Sequence, residues 1–212
     1  KIKTVITDEN EYETKSLIIA TGCKNRLLGI DREEEFIGNG ISFCVACDGA
    51  FYKDKVVAVI GGGNSAVINA LSLSEICKKV YLIQNLGFLT AEDMLKERIK
   101  EKNNIEIMYN SKVVKLIGDD ELKSIEVSGK EDKIIAIDGM FISIGQIPQN
   151  DIFKGIIDLN EQNYIKSIEC LTNKEGLFVA GDCREKKIRQ LTTAAGDGTI
   201  AALEAINYLN NL

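Results

Sequence analysis

The stretch KVVAVIGGGNSAV, residues 55–67, decides the fold of this chain. A run of apolar β-branched residues leads into three consecutive glycines, and a helical pattern follows directly, so the order is buried strand, tight turn and helix start. Gly61, Gly63 and Ala66 match the GxGxxA pattern, in which the first glycine makes the turn, the second lets the backbone approach a pyrophosphate and the third residue allows close helix packing. The stretch therefore predicts a dinucleotide-type fold. The cofactor-binding candidates in it are Gly61, Gly63, Asn64, Ser65 and Ala66.

Buried apolar runs bounded by turn signals recur along the chain, with helical patterns between some of them. The other runs are SLIIATG, KKVYLIQN, NIEIMY, KVVKLIG, MFISIG and GLFVAG. Continuous apolar strands of this kind are typical of parallel sheets that are covered on both faces. The pattern predicts an α/β protein with a Rossmann-like, three-layer nucleotide-binding domain.

Three segments between these runs have a recognisable local pattern. Apolar residues at helical spacing predict one helix over residues 64–76 and a more solvated helix over residues 89–102. Short alternating segments separated by GDDE and SGKEDK predict an antiparallel meander over residues 105–137. The last helix is predicted to begin near Thr192 or Thr193. A β-rich stretch followed by a return to the α/β pattern indicates two interleaved domains.

Composition argues against several classes of partner. The chain has 212 residues and a formal net charge of -6, with acidic and basic residues interspersed, so it lacks the basic stripe that a nucleic-acid backbone requires. No apolar run approaches the roughly 20 residues of a membrane-spanning helix, and we expect neither a nucleic-acid nor a membrane partner. Six cysteines without a turn-rich composition favour a reduced, cytoplasmic setting with one special pair. Because the chain opens with Lys1 in a strand-like stretch, we expect further sequence before it.

The residues after the second buried strand bear on which nucleotide binds. About 20 residues beyond the glycine turn, Asp or Glu binds a ribose hydroxyl, whereas Arg binds a 2′-phosphate. Here the sequence is QNLGFLT, residues 84–90. Gln84 or Asn85 could hydrogen-bond a ribose, and Gln84 is therefore a cofactor-binding candidate, but the segment offers no cation to a phosphate.

Cys44 and Cys47, in the stretch CVACDGAFY, are the candidates for chemistry. Zinc binding would require further ligands, but the chain has no histidine and its other cysteines are scattered singly. Buried structural thiols would be inert. We favour the third interpretation, a dithiol that closes as a disulfide and exchanges with another protein's disulfide. The departing thiolate needs a proton donor and acceptor, for which Asp48 is the nearest candidate, although Asp48 could instead be a turn residue before Gly49.

Together these motifs resemble the low-molecular-weight thioredoxin reductases, flavoproteins that pair a CxxCDG dithiol with a GGGxSA nucleotide turn. The resemblance covers all 212 residues in order. SLIIATG at 16–22 resembles the crossover from the flavin domain into the nucleotide domain, and ISIGQIPQN at 142–150 resembles the return crossover, although Gln149 interrupts its GxxPN element. GLFVAGD at 176–182 resembles the second flavin motif, and RQLTTAAGDG at 189–198 resembles the segment that leads into the last helix. Taken alone, GLFVAGD fits any buried strand that ends in a turn.

The resemblance implies the domain organisation and the remaining site residues. Residues 1–22 and 146–212 would be parts of an FAD-binding domain, and residues 23–145 would be an NAD(P)-type nucleotide-binding domain of the same Rossmann type, inserted in it and carrying the CxxC pair. Asp182 would hold the ribityl chain of FAD, and the start of the last helix would lie near the pyrimidine end of the flavin. The cofactor-binding residues implied in this way are Gly145, Gly181, Asp182, Arg189, Gln190 and Leu191.

Two parts of the family's pattern are absent from these residues. The N-terminal βαβ unit, which carries a glycine turn for the ADP half of FAD, is missing, so only part of the flavin domain is represented. The family's HRRxxxR segment, which binds the 2′-phosphate of NADPH, aligns with residues that include Gln84, Asn85, Leu86 and Thr90, so every expected arginine is gone. Such charge-assisted bonds are worth about 1.5 to 3 kcal/mol each. We therefore favour a donor other than NADPH: NADH, or a one-electron protein such as ferredoxin, which some relatives without these arginines use.

The function that the resemblance implies is that of a thioredoxin-disulfide reductase. Electrons would pass from NADH, NADPH or ferredoxin through FAD to the Cys44–Cys47 disulfide and on to thioredoxin or a thioredoxin-like protein, with Asp48 as acid and base. The family also implies a homodimer and a nucleotide domain that rotates about hinges, which we expect near Gly22 and Gly145. The alternatives are a non-catalytic nucleotide-fold fragment without flavin and a flavoprotein relative that reduces peroxiredoxins.

Overall fold

The computed structural model describes all 212 residues, which divide into two units. One unit comprises residues 26–145, and the other combines residues 1–25 with residues 146–212. The helices are α1 (Glu33–Phe36), α2 (Val45–Asp48), α3 (Asn64–Ser74), α4 (Asp93–Lys100) and α5 (Leu191–Asn210). The strands are β1 (Lys3–Ile6), β2 (Glu11–Thr14), β3 (Leu17–Ile19), β4 (Cys23–Asn25), β5 (Ile41–Ser42), β6 (Val56–Ile60), β7 (Lys79–Ile83), β8 (Ile105–Met108), β9 (Lys112–Gly118), β10 (Leu122–Ser128), β11 (Lys133–Ala136), β12 (Gly139–Ile142), β13 (Gln146–Pro148) and β14 (Leu177–Val179). None of the helices has both the length and the apolar character needed to cross a bilayer.

The unit of residues 26–145 is built on a five-stranded parallel sheet in the order β5-β12-β6-β7-β8. Alternate residues of β6 enter two different cores: Val57 and Val59 pack with α3 and α4, whereas Ala58 and Ile60 pack with residues of the antiparallel sheet β11-β10-β9. The parallel sheet is therefore the middle of three layers, as the continuous apolar strands predict. The α/β class and the Rossmann-like sheet are confirmed.

Two predicted elements differ from the structure by more than two residues. The meander predicted over residues 105–137 is confirmed only for β9 to β11, because Ile105–Met108 pairs parallel with β7 after the α4 crossover. The helix predicted over residues 89–102 begins only at Asp93. The N–H groups of Thr90 and Ala91 donate to the carbonyl oxygen of Gly62, at 2.8 and 3.1 Å, so these residues form a loop against the glycine turn.

The other unit has a smaller core around α5. Strands β3 and β14 pair in parallel, β4 and β13 form an antiparallel ribbon, and β1 and β2 form a hairpin. Ala201 and Ala205 of α5 pack on Phe178 and Ala180, and the small side chains let the helix approach β14 closely. Because β4 pairs with β13, this unit extends past Gly22 to residue 25.

A single buried asparagine joins three segments of this unit. Asn150 is completely buried, and its Oδ1 accepts a hydrogen bond from Thr21 Oγ1 at 3.0 Å. Its Nδ2 donates to the carbonyl oxygens of Asn163 and Cys183, at 2.8 and 2.7 Å. Buried polar groups of this kind are stable only when paired, so Asn150 fixes the two crossover segments to the loop after β14.

Candidate active site

Cys44 and Cys47 are joined in a disulfide at the start of α2, with a Cα–Cα distance of 5.3 Å. Cys44 is the N-cap residue of α2 and is half-buried, whereas Cys47 is exposed. The Cys47 N–H donates to Cys44 Sγ at 3.2 Å. The structure thus brings the predicted pair together. The Cys44 sulfur accepts a backbone hydrogen bond, and Cys47 is accessible to a partner protein.

The Asp48 carboxylate is held by a serine that the sequence analysis did not single out. Ser42 Oγ donates to Asp48 Oδ2 at 2.6 Å and accepts the Cys44 N–H at 3.0 Å. Ser42 is buried at the end of β5, and Asp48 is half-buried. The sequence offers a signal for this contact: Ser42 precedes the first cysteine by two residues, and serine side chains often accept the backbone N–H two residues further on. Asp48 is therefore anchored to the sheet beside the disulfide, and its acid–base role stays a prediction.

Three of the remaining cysteines have thiols that burial makes less acidic. Burial, followed by the negative charge of Asp138, raises the pKa of Cys77 to about 11. Burial also raises the pKa of Cys23 and of Cys170. Because the thiolate is the nucleophile in disulfide exchange, these residues are poor candidates for it.

The glycine turn after β6 has a shape that the fold itself requires. Gly61 has a φ of 130°, and a Cβ at this position would lie 2.5 Å from the carbonyl oxygen of Ser143. That Cβ would also lie 3.2 Å from the Cβ of Ala66, which is completely buried where α3 meets the sheet. Gly61 therefore allows the tight turn, and Ala66 allows the close packing of helix on strand, as the sequence pattern predicts.

The N-terminus of α3 is open on the side of Gly63. Gly63 is the N-cap residue with extended backbone and no side-chain cap, and a Cβ there would meet only Thr90 Oγ1, at 3.7 Å. Ser65 is exposed in the first turn, whereas the Asn64 side chain is engaged: its Oδ1 accepts the Glu92 N–H and its Nδ2 donates to Glu92 Oε1, both at 2.8 Å. Unpaired N–H groups of this kind can bind a phosphate.

The side chain of Gln84 points into the protein instead of standing free at the end of β7. Gln84 is buried, its Nε2 donates to the carbonyl oxygen of Phe88 at 3.1 Å, and its Oε1 accepts the Asn85 N–H at 3.1 Å. It lies over Gly62, where any Cβ would collide with it. Residues 84–92 contain no lysine or arginine, so the edge of the sheet that faces a nucleotide in this fold carries no cation from this loop.

In the other unit, Asp197 organises a buried cluster of charges that the sequence analysis missed. Its carboxylate accepts hydrogen bonds from Arg184 Nε and Nη2, at 2.9 and 2.8 Å, and from Lys186 Nζ at 3.0 Å. The Arg184 hydrogen bond, with that of Lys186, lowers the pKa of Asp197 to about 2. Asp197 Oδ2 also accepts the Gly181 N–H at 3.1 Å. The cluster therefore fixes the turn that follows β14, where Gly181 has a φ of 77°.

Asp182 has a buried side-chain oxygen that forms an ion pair but no hydrogen bond. Its Oδ1 is buried and accepts no hydrogen bond, although Lys186 Nζ lies 3.3 Å away. Its carbonyl oxygen accepts from Cys23 Sγ at 2.9 Å and from Arg189 Nε at 3.4 Å. The Arg189 guanidinium stacks on the ring of Tyr164, 4.0 Å from the centroid. A buried carboxylate oxygen that has an ion-pair partner but no hydrogen bond is the kind of acceptor that a ligand hydroxyl can complete.

The last predicted positions lie at a turn and at a helix start. Gly145 has a φ of 98°, and its carbonyl oxygen accepts the Arg26 N–H at 3.1 Å. Gln190 directly precedes α5, and its N–H donates to Thr193 Oγ1 at 3.1 Å, which caps the helix. Leu191 is 86% exposed. The side chains of Gln190 and Leu191 are therefore accessible, and their cofactor-binding role stays a prediction.

Comparison with known proteins gives concordant matches. Residues 1–198 match the family model described as pyridine nucleotide-disulphide oxidoreductase. The chain is 40% identical over 209 residues to the thioredoxin reductase of Rickettsia conorii, across 95% of this chain and 67% of that protein. It is 39% identical over 211 residues to the 34.2 kDa protein in rubredoxin operon of Clostridium pasteurianum, across 98% of this chain and 68% of that protein. The crystal structure of thioredoxin reductase from Streptococcus pyogenes is similar with a TM-score of 0.93 at 34% identity, across 100% of this chain and 73% of that chain.

Proposed function

The chain belongs to the pyridine nucleotide-disulphide oxidoreductase family, and we propose that it acts as a thioredoxin-disulfide reductase. One observation supports this function most directly. The Cys44–Cys47 disulfide lies at the start of α2, directly before Asp48, and the same unit carries a dinucleotide-type glycine turn. The substrate is the disulfide of thioredoxin or of a thioredoxin-like protein.

Cys44 and Cys47 carry the two electrons to the partner. In the reduced protein, the thiolate of one cysteine attacks a sulfur of the partner's disulfide and forms a mixed disulfide. The second cysteine then attacks the sulfur of the first, which releases the partner as a dithiol and restores the Cys44–Cys47 bond. Two electrons and two protons pass to the partner in total. The Cys47 N–H would stabilise negative charge on Cys44 Sγ throughout, because a donor to an anion is stronger than one to a neutral acceptor.

Asp48 is the proposed proton carrier for these steps. The chain contains no histidine, so the usual group for proton transfer near neutral pH is unavailable from its own residues. Asp48 follows Cys47 directly, is half-buried and forms no ion pair. A positioned acid–base group contributes about 100-fold to 10,000-fold to a proton-transfer step.

FAD is the cofactor that we propose, bound in part by the segment from Gly181 to Leu191. Asp182 Oδ1 accepts no hydrogen bond and fits a hydroxyl of a ribityl chain. The nearest atom to a Cβ on Gly181 would be Ala194 Cβ at 3.8 Å, which leaves room for a ligand. Arg189 and the accessible start of α5 lie in the same segment. Bound FAD would supply the electron pair that opens the Cys44–Cys47 disulfide.

We propose that the electrons come from a donor other than NADPH. Support comes from residues 84–92, which offer no cation to a 2′-phosphate and place the Glu92 carboxylate on Asn64 at the start of α3. NADH lacks that phosphate and would use the open backbone at Gly63. Reduced ferredoxin is the protein alternative and would leave the glycine turn unused.

An anaerobic titration of the full-length protein with NADH, NADPH and reduced ferredoxin tests the donor through flavin bleaching. We expect NADH or ferredoxin to bleach the flavin at lower concentration than NADPH, and bleaching by low NADPH would refute the preference. Cys44→Ser and Cys47→Ser are each expected to abolish thioredoxin reduction, whereas Cys77→Ser, at a buried thiol, is expected to retain it. Absence of flavin from the purified full-length protein, or turnover that survives both active-site substitutions together, would refute the function itself.

Two further properties complete the proposal. We expect a homodimer and a cytoplasmic location, on the strength of the family resemblance and of a composition typical of a reduced compartment. Light scattering during size-exclusion chromatography measures the first, and cell fractionation measures the second.

A further inference from the structure

We propose that Ser42 is a positioning residue for thiol exchange: its hydroxyl holds the Asp48 carboxylate in the orientation from which it exchanges a proton with the dithiol. The proposal rests on the proposed function, because the orientation of Asp48 matters only if Asp48 transfers protons. Ser42 itself touches neither sulfur in the hydrogen-bond network and acts through Asp48.

The serine lies on a rigid part of the fold. It is the last residue of β5, whose register with β12 pairs Ser42 with Phe141, and it is only 7% exposed. A side chain fixed in this way on a sheet positions its neighbour more accurately than one on a loop. The loop that carries the disulfide begins directly after it.

The direction of the hydrogen bonds around Ser42 is determined by its chemistry. A serine hydroxyl has one proton to donate. Because Ser42 Oγ already accepts the Cys44 N–H at 3.0 Å, its own proton is available for Asp48 Oδ2 at 2.6 Å. Asp48 Oδ1 forms no hydrogen bond, so one carboxylate oxygen is anchored and the other is left for the proton.

The same contacts couple Asp48 to the backbone of Cys44. When the disulfide opens, the carboxylate stays attached, through Ser42, to the residue that carries one of the two sulfurs. Without the hydroxyl, the Asp48 side chain would be free to rotate into solvent, because no cation pairs with it. Misplacement of a reacting group by about 1 Å can cost about 100-fold in rate.

The test is a single-turnover reaction of the full-length protein. The protein is reduced, freed of reductant, mixed anaerobically with oxidised thioredoxin, quenched with an alkylating agent and analysed by mass for free thiols. The variants are Ser42→Ala, Ser42→Thr, Asp48→Asn and the double variant Ser42→Ala with Asp48→Asn. Ser111→Ala is the matched control, because Ser111 is equally buried and its hydroxyl donates to the carbonyl oxygen of Tyr109, with no contact to the disulfide.

The expected pattern separates positioning from a structural role. Asp48→Asn is expected to slow the reaction about 100-fold, and Ser42→Ala about tenfold, with no change in the thioredoxin concentration at half-maximal rate. In the Asp48→Asn background, Ser42→Ala is expected to add less than about a twofold effect, since there is no proton transfer left to position. Ser42→Thr is expected to restore the rate, and Ser111→Ala to leave it unchanged.

Two results would overturn the proposal: an unchanged rate for Ser42→Ala, or an equal loss in the presence and absence of Asp48. Far-UV circular dichroism of each variant shows whether it is folded, and Ser42→Thr tests the same contact if Ser42→Ala does not fold. If Asp48→Asn reacts at the normal rate, the acid–base part of the proposed function is wrong, and the proposal for Ser42 is refuted with it. If Asp48→Asn is slow but Ser42→Ala is not, only the role of Ser42 is refuted.

Discussion

Asp197→Asn is the substitution for which the structure gives the most definite stability prediction. The carboxylate accepts three hydrogen bonds from Arg184 and Lys186, and all three side chains are largely buried. An asparagine of the same size keeps the packing but removes the charge. Arg184 and Lys186 would then lie in a buried site with only Asp182 near Lys186 to offset them.

The magnitude follows from the depressed pKa and from the cost of unpaired buried charge. Hydrogen bonds from Arg184 and Lys186 lower the pKa of Asp197 from 3.8 to about 2. At about 1.4 kcal/mol per pKa unit, the ionised carboxylate contributes about 2 kcal/mol to folding at neutral pH. The substitution also leaves its partners uncompensated, and breaking a buried pair in this way costs about 3 to 5 kcal/mol.

The loss of unfolding free energy in Asp197→Asn is measured by urea titration with far-UV circular dichroism as the signal, since the chain has no tryptophan to report by fluorescence. The folded-state pKa is below the unfolded one, so this stabilisation is fully present above pH 3.8 and is lost as the pH falls through about 2. We expect this acid-labile component in the native protein and its absence in Asp197→Asn. Asp151→Asn is the control, because Asp151 pairs with Lys154 on the surface and its loss should leave the midpoint unchanged.

A loss smaller than about 1 kcal/mol at pH 7 for Asp197→Asn would refute the reasoning, because it would mean that the buried cations find other partners or water at little cost. The same conclusion would follow if the variant and the native protein lost stability equally between pH 4 and pH 2.

Three further predictions concern the turn, the crossovers and the donor. Gly61→Ala is expected to destabilise the protein, because the φ of 130° and the Ser143 carbonyl oxygen leave no room for a Cβ. Gly63→Ala is expected to unfold at the same urea concentration as the native protein but to bind nucleotide more weakly, as measured by calorimetry. Asn150→Ala is expected to lower the free energy of unfolding by about 2 to 4 kcal/mol in urea titrations, since the three hydrogen bonds of this buried side chain are lost; an unchanged midpoint would mean that they contribute little to stability. Leu86→Arg is expected to raise NADPH affinity relative to NADH by about tenfold in binding titrations, and an unchanged ratio would mean that residue 86 does not face the 2′-phosphate.

The features that could be predicted from sequence are those encoded within a few consecutive residues. The glycine turn, its flanking strand and helix, and the CxxC pair depend on spacings of at most five residues along the chain, and the structure has each of them. The parallel sheet was predictable because strands covered on both faces are apolar throughout. The assignment of β8 failed because a short alternating strand carries no sign of whether its neighbour is parallel or antiparallel.

The missed features depend on partners that are distant in the chain or on the direction of one side chain. Asp197 reads as a polar residue inside a helix, and only the fold brings Arg184 and Lys186 to it. Glu33 looks like one of several surface acids, yet its carboxylate is buried and accepts the N–H groups of Leu28 and Gly29, each at 2.8 Å. Such contacts have no local signature, because neither the residue type nor its neighbours differ from those of an exposed helix turn.

The packing of Gln84 over Gly62 has a consequence for protein engineering. The glutamine amide fills the volume that any larger residue at position 62 would need. Conversely, an arginine or a small side chain at 84 would uncover the middle glycine and release the carbonyl of Phe88 from its donor. A larger residue at position 62 therefore requires a different side chain at position 84. A graft of the strand-end loop that replaces Gln84 can keep Gly62, but it needs another donor for the Phe88 carbonyl oxygen.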